Sequence, residues 1–235
     1  MDIYYKMCFE NFILAADVAT RPDFIQDKAE LISACAKSLF KQISEEDSVF
    51  FLLDGRYDES FNDILFYCLK RCKQVSLIRV DNYYNSFEQC FNIAKTRDPR
   101  NITYICEDDY LHIDDSLQEI KNFCENNIKS ILHPTKYPGE WWDTDEKYRP
   151  IKTTTYTFAC YNGLIHKYYN SMIAATDNPY DFGQHTFNDV CKNNNITIYN
   201  PKNTLAGHIT DGTIPCSMLE NIEYIYYDNL NEILI

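Results

Sequence analysis

The amino-acid sequence predicts an α/β protein with a mostly parallel central sheet covered by helices on both faces. Three observations support this fold class. Through residues 1–133, short apolar runs suited to buried strands alternate with longer stretches of helical periodicity. Acidic residues directly follow several of the apolar runs, as Asp54 and Glu107 do. After His133 the segments become polar and aromatic, and regular elements are spaced farther apart.

The first half contains four strand–helix alternations and a closing strand. Strands are predicted at 12–16, 48–53, 75–80, 102–106 and 128–132, and helices at 28–43, 61–72, 86–95 and 115–126. The last of these helices is expected to begin with a capping box formed by Asp115 and Gln118. The pattern predicts one large domain, with a sheet-forming half over 1–133 and a smaller half over 134–235 that completes a cleft.

The second half is expected to begin with a long loop over 134–150. The predicted elements that follow are a strand at 152–160, helices at 162–175 and 182–192, and a strand at 196–199. Periodicity does not decide between a helix and an extended segment for the tail over 219–234. Trp141, Trp142, Tyr137 and Tyr148 lie in or at the end of the long loop, where aromatic rings could cover a bound sugar.

Composition limits the class of partner. The chain has 235 residues, 45% hydrophobic and 24% charged, with 22 basic and 35 acidic side chains and a net charge of −13. This charge repels phosphate backbones and anionic membranes, so neither nucleic acid nor a membrane surface is an expected partner. The sequence contains no secretion signal and no membrane span, and its 10 cysteines are typical of reduced core residues. A cytoplasmic protein is expected, in a host cytosol if the chain is viral.

Candidate site residues lie where the predicted strands end, since ligands of open α/β sheets bind beyond the carboxyl ends of the strands. These residues are Asp17 with Arg21 nearby, Asp54, Asp81 with Asn85, and the triplet Glu107, Asp108 and Asp109. Four acidic strand ends around one crevice would repel each other, so a divalent cation or the donor groups of a ligand should offset them. Carboxylate oxygens suit Mg²⁺ or Mn²⁺. Alternatively, the triplet is an acidic start for the following helix.

The segment over 104–112, Tyr-Ile-Cys-Glu-Asp-Asp-Tyr-Leu-His, resembles the acidic, DXD-like metal motif of GT-A-fold glycosyltransferases of the family-2 type. Further segments resemble the same family in the same order. They are Ala16-Asp17, Arg21-Pro22-Asp23-Phe24, Asn85-Ser86-Phe87, His133-Pro134, Tyr137-Pro138, the run over 153–158 and Leu205-Ala206-Gly207-His208. Together they extend over about residues 12–215. The resemblance implies a GT-A-type, Rossmann-like sheet with a nucleotide-sugar-binding half and an acceptor-binding half.

The resemblance also implies an activity and a set of roles. A nucleotide-diphospho-sugar, most simply a UDP-sugar, would donate its sugar to a hydroxyl of a glycan acceptor with Mn²⁺ or Mg²⁺ as cofactor. Asp17 and Asp54 would bind the base or ribose and Asp108 would contact the ribose, with Arg21 and Asn85 at the same site. The metal ligands would be Glu107, Asp109 and the late histidine, His208. Alternatively, His208 is a structural residue. Asp211 nearby could orient the His208 imidazole.

The catalytic base is the point where the chain departs from the family. Inverting members often carry an Asp-His pair in the helix after the second-half strand, whereas this chain has Gln184 followed by His185. Glutamine cannot accept a proton as a base. Asp181 or His185 could do so, or the reaction could be retaining, with Gln184 as an amide near the anomeric carbon. Inversion is favoured. Asp181 could also simply cap the helix, and the whole chain could be a non-catalytic carbohydrate- or nucleotide-sugar-binding protein.

Overall fold

The structure is a computed structural model of the 235-residue chain. It describes residues 1–9, 21–80, 83–136, 145–154, 157–176, 184–210 and 214–235. Ten strands and eight α-helices occur in these ranges. The strands are β1 (Asp2–Cys8), β2 (Ser48–Asp54), β3 (Gln74–Val80), β4 (Ile102–Glu107), β5 (Tyr110–His112), β6 (Ser130–Leu132), β7 (Tyr148–Ile151), β8 (Phe158–Tyr161), β9 (Thr197–Pro201) and β10 (Ala206–His208). The helices are α1 (Lys28–Phe40), α2 (Asn62–Arg71), α3 (Tyr83–Thr96), α4 (Ser116–Asn126), α5 (Asn162–Thr176), α6 (Gln184–Asn193), α7 (Cys216–Leu219) and α8 (Ile222–Asn231).

Eight of the strands form one central sheet in the order β3-β2-β1-β4-β8-β6-β9-β7. The neighbours β3, β2, β1 and β4 are all parallel to one another. Strand β8 is antiparallel to β4 and β6, β9 is parallel to β6, and β7 closes the sheet antiparallel to β9. The four parallel strands therefore bring their carboxyl ends to the same edge of the sheet, as the predicted fold class requires.

Helices cover both faces of the sheet, because alternate strand residues point to opposite sides. On one face, Tyr5 and Phe51 pack in a cluster to which α1, α2 and α4 contribute apolar side chains. On the other face, Tyr4, Phe50 and Ile105 pack against α3, α5 and α6. Near-continuous apolar strands are expected where a sheet is buried on both sides, and β2 has this composition.

A third apolar cluster connects the sheet to the C-terminal elements. Strands β5 and β10 form a separate two-stranded antiparallel ribbon. Leu111 of β5 and Ile209 after β10 pack with Leu31 and Cys35 of α1 and with Tyr226 of α8. Because α1 also packs on the sheet, this cluster fixes the ribbon beside the carboxyl ends of the parallel strands.

The sequence analysis missed the first strand of the sheet. The sheet begins with β1 at Asp2–Cys8, which the sequence analysis did not assign, and β1 is hydrogen-bonded between β2 and β4 near the middle of the sheet. Charged residues at both ends of this strand hide its apolar centre in the sequence. Asp2 is paired with Arg97 at one end, and Lys6 lies near the other end. The predicted strand at 12–16 lies outside the described residues.

Three further assignments need correction. Asp115 does not form a capping box, because its φ of 61° is left-handed and its side chain makes no cap hydrogen bond. Gln42 instead accepts the Leu117 amide at 3.0 Å. The expected loop over 134–150 already contains the start of β7, and the expected strand over 152–160 is shortened to β8. The tail, which periodicity left open, contains α8.

Candidate active site

Side chains from three parallel strands and one helix meet at the carboxyl edge of the sheet. The ends of β1, β2 and β4 and the first turns of α3 enclose a cleft. Among the described residues, the cleft is lined by Lys6, Met7, Cys8, Leu52, Asp54, Ser86, Glu107 and Asp108. The structure therefore brings Asp54 together with two members of the acidic triplet, Glu107 and Asp108.

Asp109 and His208 contact each other beside this edge of the sheet. The Nε2 atom of His208 lies 3.0 Å from Oδ2 of Asp109. The guanidinium of Arg21 contacts the same carboxylate oxygen at 2.9 Å and also donates to the hydroxyl of Thr210 at 2.7 Å and to the carbonyl of Ile209. The carboxylate thus contacts both the guanidinium of Arg21 and the imidazole of His208.

The two-stranded ribbon explains why residues so distant in sequence meet. Tyr110 of β5 is the register partner of His208 of β10. The amide of Ile209 donates to the carbonyl of Asp109 at 2.9 Å, which extends the ladder by one step. The rings of Tyr110 and His208 are stacked with their centroids 5.1 Å apart. Backbone pairing and ring stacking together orient the imidazole towards the carboxylate.

Asp108 is held by different partners. Its Oδ2 atom accepts the backbone amide of Cys8 at 2.7 Å, and its Oδ1 atom accepts from the ammonium of Lys28 at 2.9 Å. Lys28 is the first residue of α1, a helix whose start is fixed by Asp27, since that side chain accepts the amides of Ala29 and Glu30. The N-cap therefore places the lysine at the carboxylate.

Glu107 is held by a third set of partners. Its Oε1 atom lies 3.7 Å from the ammonium of Lys6, which is its register partner on β1. The hydroxyl of Thr157 is 3.4 Å from its Oε2 atom and accepts its backbone amide at 3.1 Å. The carbonyl of Thr157 in turn accepts Nδ1–H of the fully buried His133 at 3.1 Å. Glu107 is consequently oriented by β1 and by the segment before β8.

Titration behaviour follows from burial and these pairs. Burial works to raise the pKa of Asp109, but His208, Arg21 and Lys28 together hold it well below its usual range. Burial works to lower the pKa of His208, yet the Asp109 carboxylate raises it above the ordinary value. Burial raises the pKa of Asp108, although Lys28 opposes the rise. The contacts thus favour the ionised form of Asp109 in a protein of net charge −13.

The donor set at Asp109 and His208 fits a divalent cation of the Mn²⁺ or Mg²⁺ type. The Oδ2 atom of Asp109 and the Nε2 atom of His208 lie 3.0 Å apart, so one ion could contact both donors. The guanidinium of Arg21 on the same carboxylate oxygen opposes a second positive charge there. In the part of the chain that the structure describes, no three His, Cys, Asp or Glu side chains are arranged to hold a metal. A site with two protein ligands matches ions that are bound through few side chains and substrate phosphates. The ligand role of Glu107 stays a prediction.

The remaining predicted site residues differ in how far the structure describes them. Asn85 is half-buried in the first turn of α3, beside Ser86, which lines the cleft. Asp17 and Asp181 lie outside the described residues. Gln184 and His185 are the first two residues of α6, but their side chains are outside the description. Of the aromatic residues in the long loop, Tyr148 is described, and its ring packs on Phe123 with centroids 4.7 Å apart.

Sequence reasoning missed two cations of the site, Lys6 and Lys28. Lys6 could have been noticed because it is a lysine inside an otherwise apolar run. A lysine side chain is costly to bury without a partner. The signal for Lys28 was its place directly after the N-cap Asp27, although a first-turn lysine is typical of a solvent-exposed helix start. The partner of each lies 101 or 80 residues away in sequence, so tertiary structure was needed to find them.

The sheet order, the helix layers and the acidic strand edge define an α/β fold of the GT-A type, as expected from the sequence. Solved structures with this fold include Staphylococcus aureus TarS, a GT-A-type glycosyltransferase, with a TM-score of 0.55, 11% identity, and coverage of 87% of this chain and 36% of that one. TarS 1–349 gives a TM-score of 0.56 at 12% identity, with 87% and 59% coverage. The same fragment in complex with UDP gives a TM-score of 0.52 at 13% identity, with the same coverage.

The likeness at such low identity concerns the fold. This chain spans between about a third and three fifths of the TarS chains, at 36% and 59% of their lengths. No protein-family model matches the sequence, and no curated protein matches it. None of the helices in the described ranges is long and apolar enough to cross a membrane.

Proposed function

We propose that this chain is a metal-dependent glycosyltransferase that moves a sugar from a UDP-sugar to a hydroxyl of a glycan acceptor. The observation that carries the proposal is the contact between Asp109 and His208 at the carboxyl edge of the sheet, with Arg21 on the same oxygen. This edge is where ligands of open α/β sheets bind. The GT-A fold, and the UDP complex of a TarS fragment with that fold, support a nucleotide-sugar donor.

The proposed donor lies across the cleft and the ribbon. Asp54 and Asp108 bind the base and ribose through hydrogen bonds from imide N–H and hydroxyl groups, and Asp17 and Asn85 complete this part of the site. Asp109 and His208, assisted by Glu107, hold the Mn²⁺ or Mg²⁺ ion. When bound, the ion offsets the negative charge that develops on the departing diphosphate. Arg21 supplies a second positive charge at the same place, because its guanidinium is fixed by Thr210 and Ile209.

For the chemical step we propose inversion at the anomeric carbon. Asp181 or His185 then removes the proton of the acceptor hydroxyl, and Gln184 orients the sugar through its amide. The stereochemical course is directly measurable, because proton NMR of the first-formed product gives the anomeric configuration. An axial-to-equatorial change from donor to product supports inversion, whereas retention of configuration assigns Gln184 to the amide role of a retaining site.

The reaction is proposed to take place in the cytoplasm. Nine cysteines of the described residues are free thiols, and seven of them are buried in the core. Buried thiols of this kind are typical of proteins from reducing compartments. The acceptor is proposed to be a glycan or a glycosylated molecule, with the segment over 134–150 beside its binding site.

The test combines binding and turnover. Melting temperature is measured with Mn²⁺, with UDP and with both, and UDP release is measured from a panel of UDP-sugars. We expect the two ligands together to raise the melting temperature by more than the sum of their separate effects, because the diphosphate completes the coordination of the ion. Binding of UDP-sugars without any UDP release would identify a binding protein on the same fold. Failure to bind any nucleotide sugar would reject the proposal.

A further inference from the structure

Helix α8 carries two exposed tyrosines and two exposed polar residues on one face. Tyr224, Tyr227, Asp228 and Asn231 occupy positions i, i+3, i+4 and i+7, so they share one side of the helix. Tyr224 is 73% exposed and Tyr227 is 40% exposed. The opposite side of α8 is buried, where Tyr226 packs with residues of α1. Neighbouring aromatic rings that are left exposed in this way are typical of an interaction surface.

These four side chains line an open groove of about 570 Å³ together with Lys41 and Glu232. Within the described part of the chain, the side chains of Tyr224, Asp228 and Asn231 make no hydrogen bond or ion pair, so their polar atoms are available to a ligand. The ammonium of Lys41 is already paired, at 2.9 Å with Asp114 and at 3.6 Å with Glu232.

The ring of Tyr227 is held in place before any ligand binds. Its hydroxyl donates to the carbonyl of Phe24 at 3.2 Å. Its ring meets that of Tyr226 nearly edge-on, with the centroids 5.2 Å apart, and lies 6.4 Å from the ring of Phe24. A ring that is fixed in this way loses little conformational freedom on binding.

The chemistry of the groove fits an uncharged ligand that is rich in hydroxyl groups. A tyrosine ring can stack on the C–H face of a sugar, while the carboxylate of Asp228 and the amide of Asn231 bond to hydroxyls. An anionic ligand would be repelled by Asp228 and Glu232 in a protein of net charge −13. An apolar helix or strand would bury Asp228 and Asn231 without partners, which is costly.

The groove is connected to the candidate active site through the segment before α1 and through α1 itself. Phe24, which contacts Tyr227, lies three residues after Arg21, and Arg21 contacts Asp109 at 2.9 Å. Lys28 at the start of α1 contacts Asp108, whereas Lys41 directly follows the end of α1. At 1.5 Å per residue, these two lysines are about 20 Å apart along the helix. A ligand that reaches both places must therefore be a chain of several sugars.

We infer that the face of α8 formed by Tyr224, Tyr227, Asp228 and Asn231, the α8 surface, binds a neutral oligosaccharide portion of the glycan acceptor outside the candidate active site. The inference rests on the proposed function for the identity of the ligand. It adds a second place at which the acceptor is held, and it predicts that long acceptors are preferred to short ones.

Binding is tested first, without UDP or Mn²⁺. Wild type is applied to an array of neutral oligosaccharides and of sulfated and carboxylated ones, and the affinity for the best ligand is measured by calorimetry. We expect binding to neutral oligosaccharides in preference to anionic ones. Tyr224→Ala should weaken it by about 3-fold to 10-fold, because a stacking ring is lost, whereas Tyr224→Trp should retain it.

Phe66→Ala is the matched control, because Phe66 is a 58% exposed aromatic residue on α2 and should leave the affinity unchanged. If wild type binds no neutral oligosaccharide, or if Tyr224→Ala binds as tightly as wild type, the inference is overturned. A concentration-dependent dimer that Tyr224→Ala dissociates would also overturn it, because the α8 surface would then bind a second copy of the chain.

Kinetics with acceptors of increasing length separate this inference from the proposed function. For wild type, the KM measured by UDP release should fall once the acceptor is long enough to reach the α8 surface, and Tyr224→Ala should lose most of that fall. If UDP release occurs with a KM that does not depend on length, the inference fails and the proposed function stands. If oligosaccharides bind at the α8 surface but no UDP-sugar is turned over, the proposed function fails and the binding surface stands.

Discussion

Asp109 and His208 are 99 residues apart in sequence, yet Nε2 of His208 lies 3.0 Å from Oδ2 of Asp109. The contact is made by a two-stranded ribbon outside the main sheet, in which Tyr110 and His208 are register partners. The ribbon packs on α1 through the cluster that contains Leu111 and Ile209. The position of the imidazole therefore depends on packing at the C-terminal side of the domain as well as on the acidic strand end.

Asp109→Asn and His208→Gln should each abolish the joint effect of Mn²⁺ and UDP on the melting temperature. An amide is a much weaker metal ligand than a carboxylate or an imidazole, and both substitutions keep the side-chain size. Turnover should fall by at least about 100-fold for Asp109→Asn, because a developing diphosphate charge would lose its counter-ion. Thermal shift and UDP release measure the two effects. If Mn²⁺ and UDP together raise the melting temperature of both variants as much as that of wild type, the cation does not bind at Asp109 and His208.

Arg21→Met should destabilise the cation-free protein and should make it respond more strongly to Mn²⁺. Removing the guanidinium leaves the Asp109 carboxylate buried with one cationic partner fewer, a change that typically costs about 3–5 kcal/mol. A divalent ion at the same oxygen should restore part of that stability. Urea unfolding with and without Mn²⁺ measures the difference.

Lys41→Met provides the control for this result, because it breaks ion pairs with Asp114 and Glu232, which do not contact Asp109. We expect its stability to change little and to be independent of Mn²⁺, since surface pairs contribute about 0–1 kcal/mol. If Mn²⁺ stabilises Arg21→Met no more than it stabilises Lys41→Met, the cation does not bind at the oxygen that Arg21 contacts.

Apolar periodicity was sufficient to find most of the sheet and its covering helices. Strand β2 and helix α2 are confirmed within two residues, because each has an uninterrupted apolar pattern that local burial explains. Strand β1 was missed for the opposite reason. Its charged residues, Asp2 and Lys6, are compensated by Arg97 and Glu107, which are distant in sequence. Local pattern cannot show that a charge is compensated by such a partner.

The residues of the candidate site could also be predicted only in part. The acidic triplet and Asp54 could be located because strand ends are visible in the sequence and share one edge of a parallel sheet. The pairing of Asp108 with Lys28 could not be predicted, because it depends on how α1 lies across the end of β4. The four acidic strand ends were expected to be offset by a divalent cation or by the donor groups of a ligand. In the structure, lysine and arginine side chains already compensate the triplet.

Stability should fall as the pH decreases from about 6.5 to about 4, where two buried histidines resist protonation. Burial lowers the pKa of His112 to about 3 and that of His133 to about 4. The unfolded chain binds both protons below about pH 6.5 while the folded chain does not. Each proton difference contributes about 1.4 kcal/mol per pH unit, so the free energy of unfolding should decrease by up to about 2.7 kcal/mol per unit.

His133→Asn tests the assignment of this slope. The amide of asparagine can still donate to the carbonyl of Thr157, which His133 contacts at 3.1 Å, but it does not titrate. The variant should therefore lose about half of the slope between pH 4 and 6.5 in urea titrations. His208 acts in the other direction, because its raised pKa stabilises the fold below about pH 6.5, and that stabilisation is lost as the pH rises through the raised pKa. An unchanged slope in His133→Asn would show that acid sensitivity arises elsewhere.

Gly207→Ala should destabilise the ribbon that carries His208. A Cβ atom at position 207 would lie 2.5 Å from Sδ of Met218 and 3.1 Å from Cδ of Pro215. Met218 is 2% exposed, so it cannot simply swing into solvent, and overpacking of this kind costs about 1–3 kcal/mol. Gly163→Ala is the matched control, because its nearest contacts would be 3.3 Å and its stability should stay within about 1 kcal/mol of wild type.

The double variant Gly207→Ala with Met218→Ala identifies the cause of that loss. If the clash with Met218 is responsible, the two changes should be less than additive by about 1 kcal/mol or more, because the new methyl group fills space that the shortened side chain leaves. The same variants should show whether the ribbon sets the geometry of the site. Gly207→Ala should weaken the joint Mn²⁺ and UDP stabilisation through displacement of His208, and Met218→Ala should recover it. If the two changes are strictly additive and the joint response to Mn²⁺ and UDP is unchanged, the packing of α7 does not determine the position of the His208 imidazole.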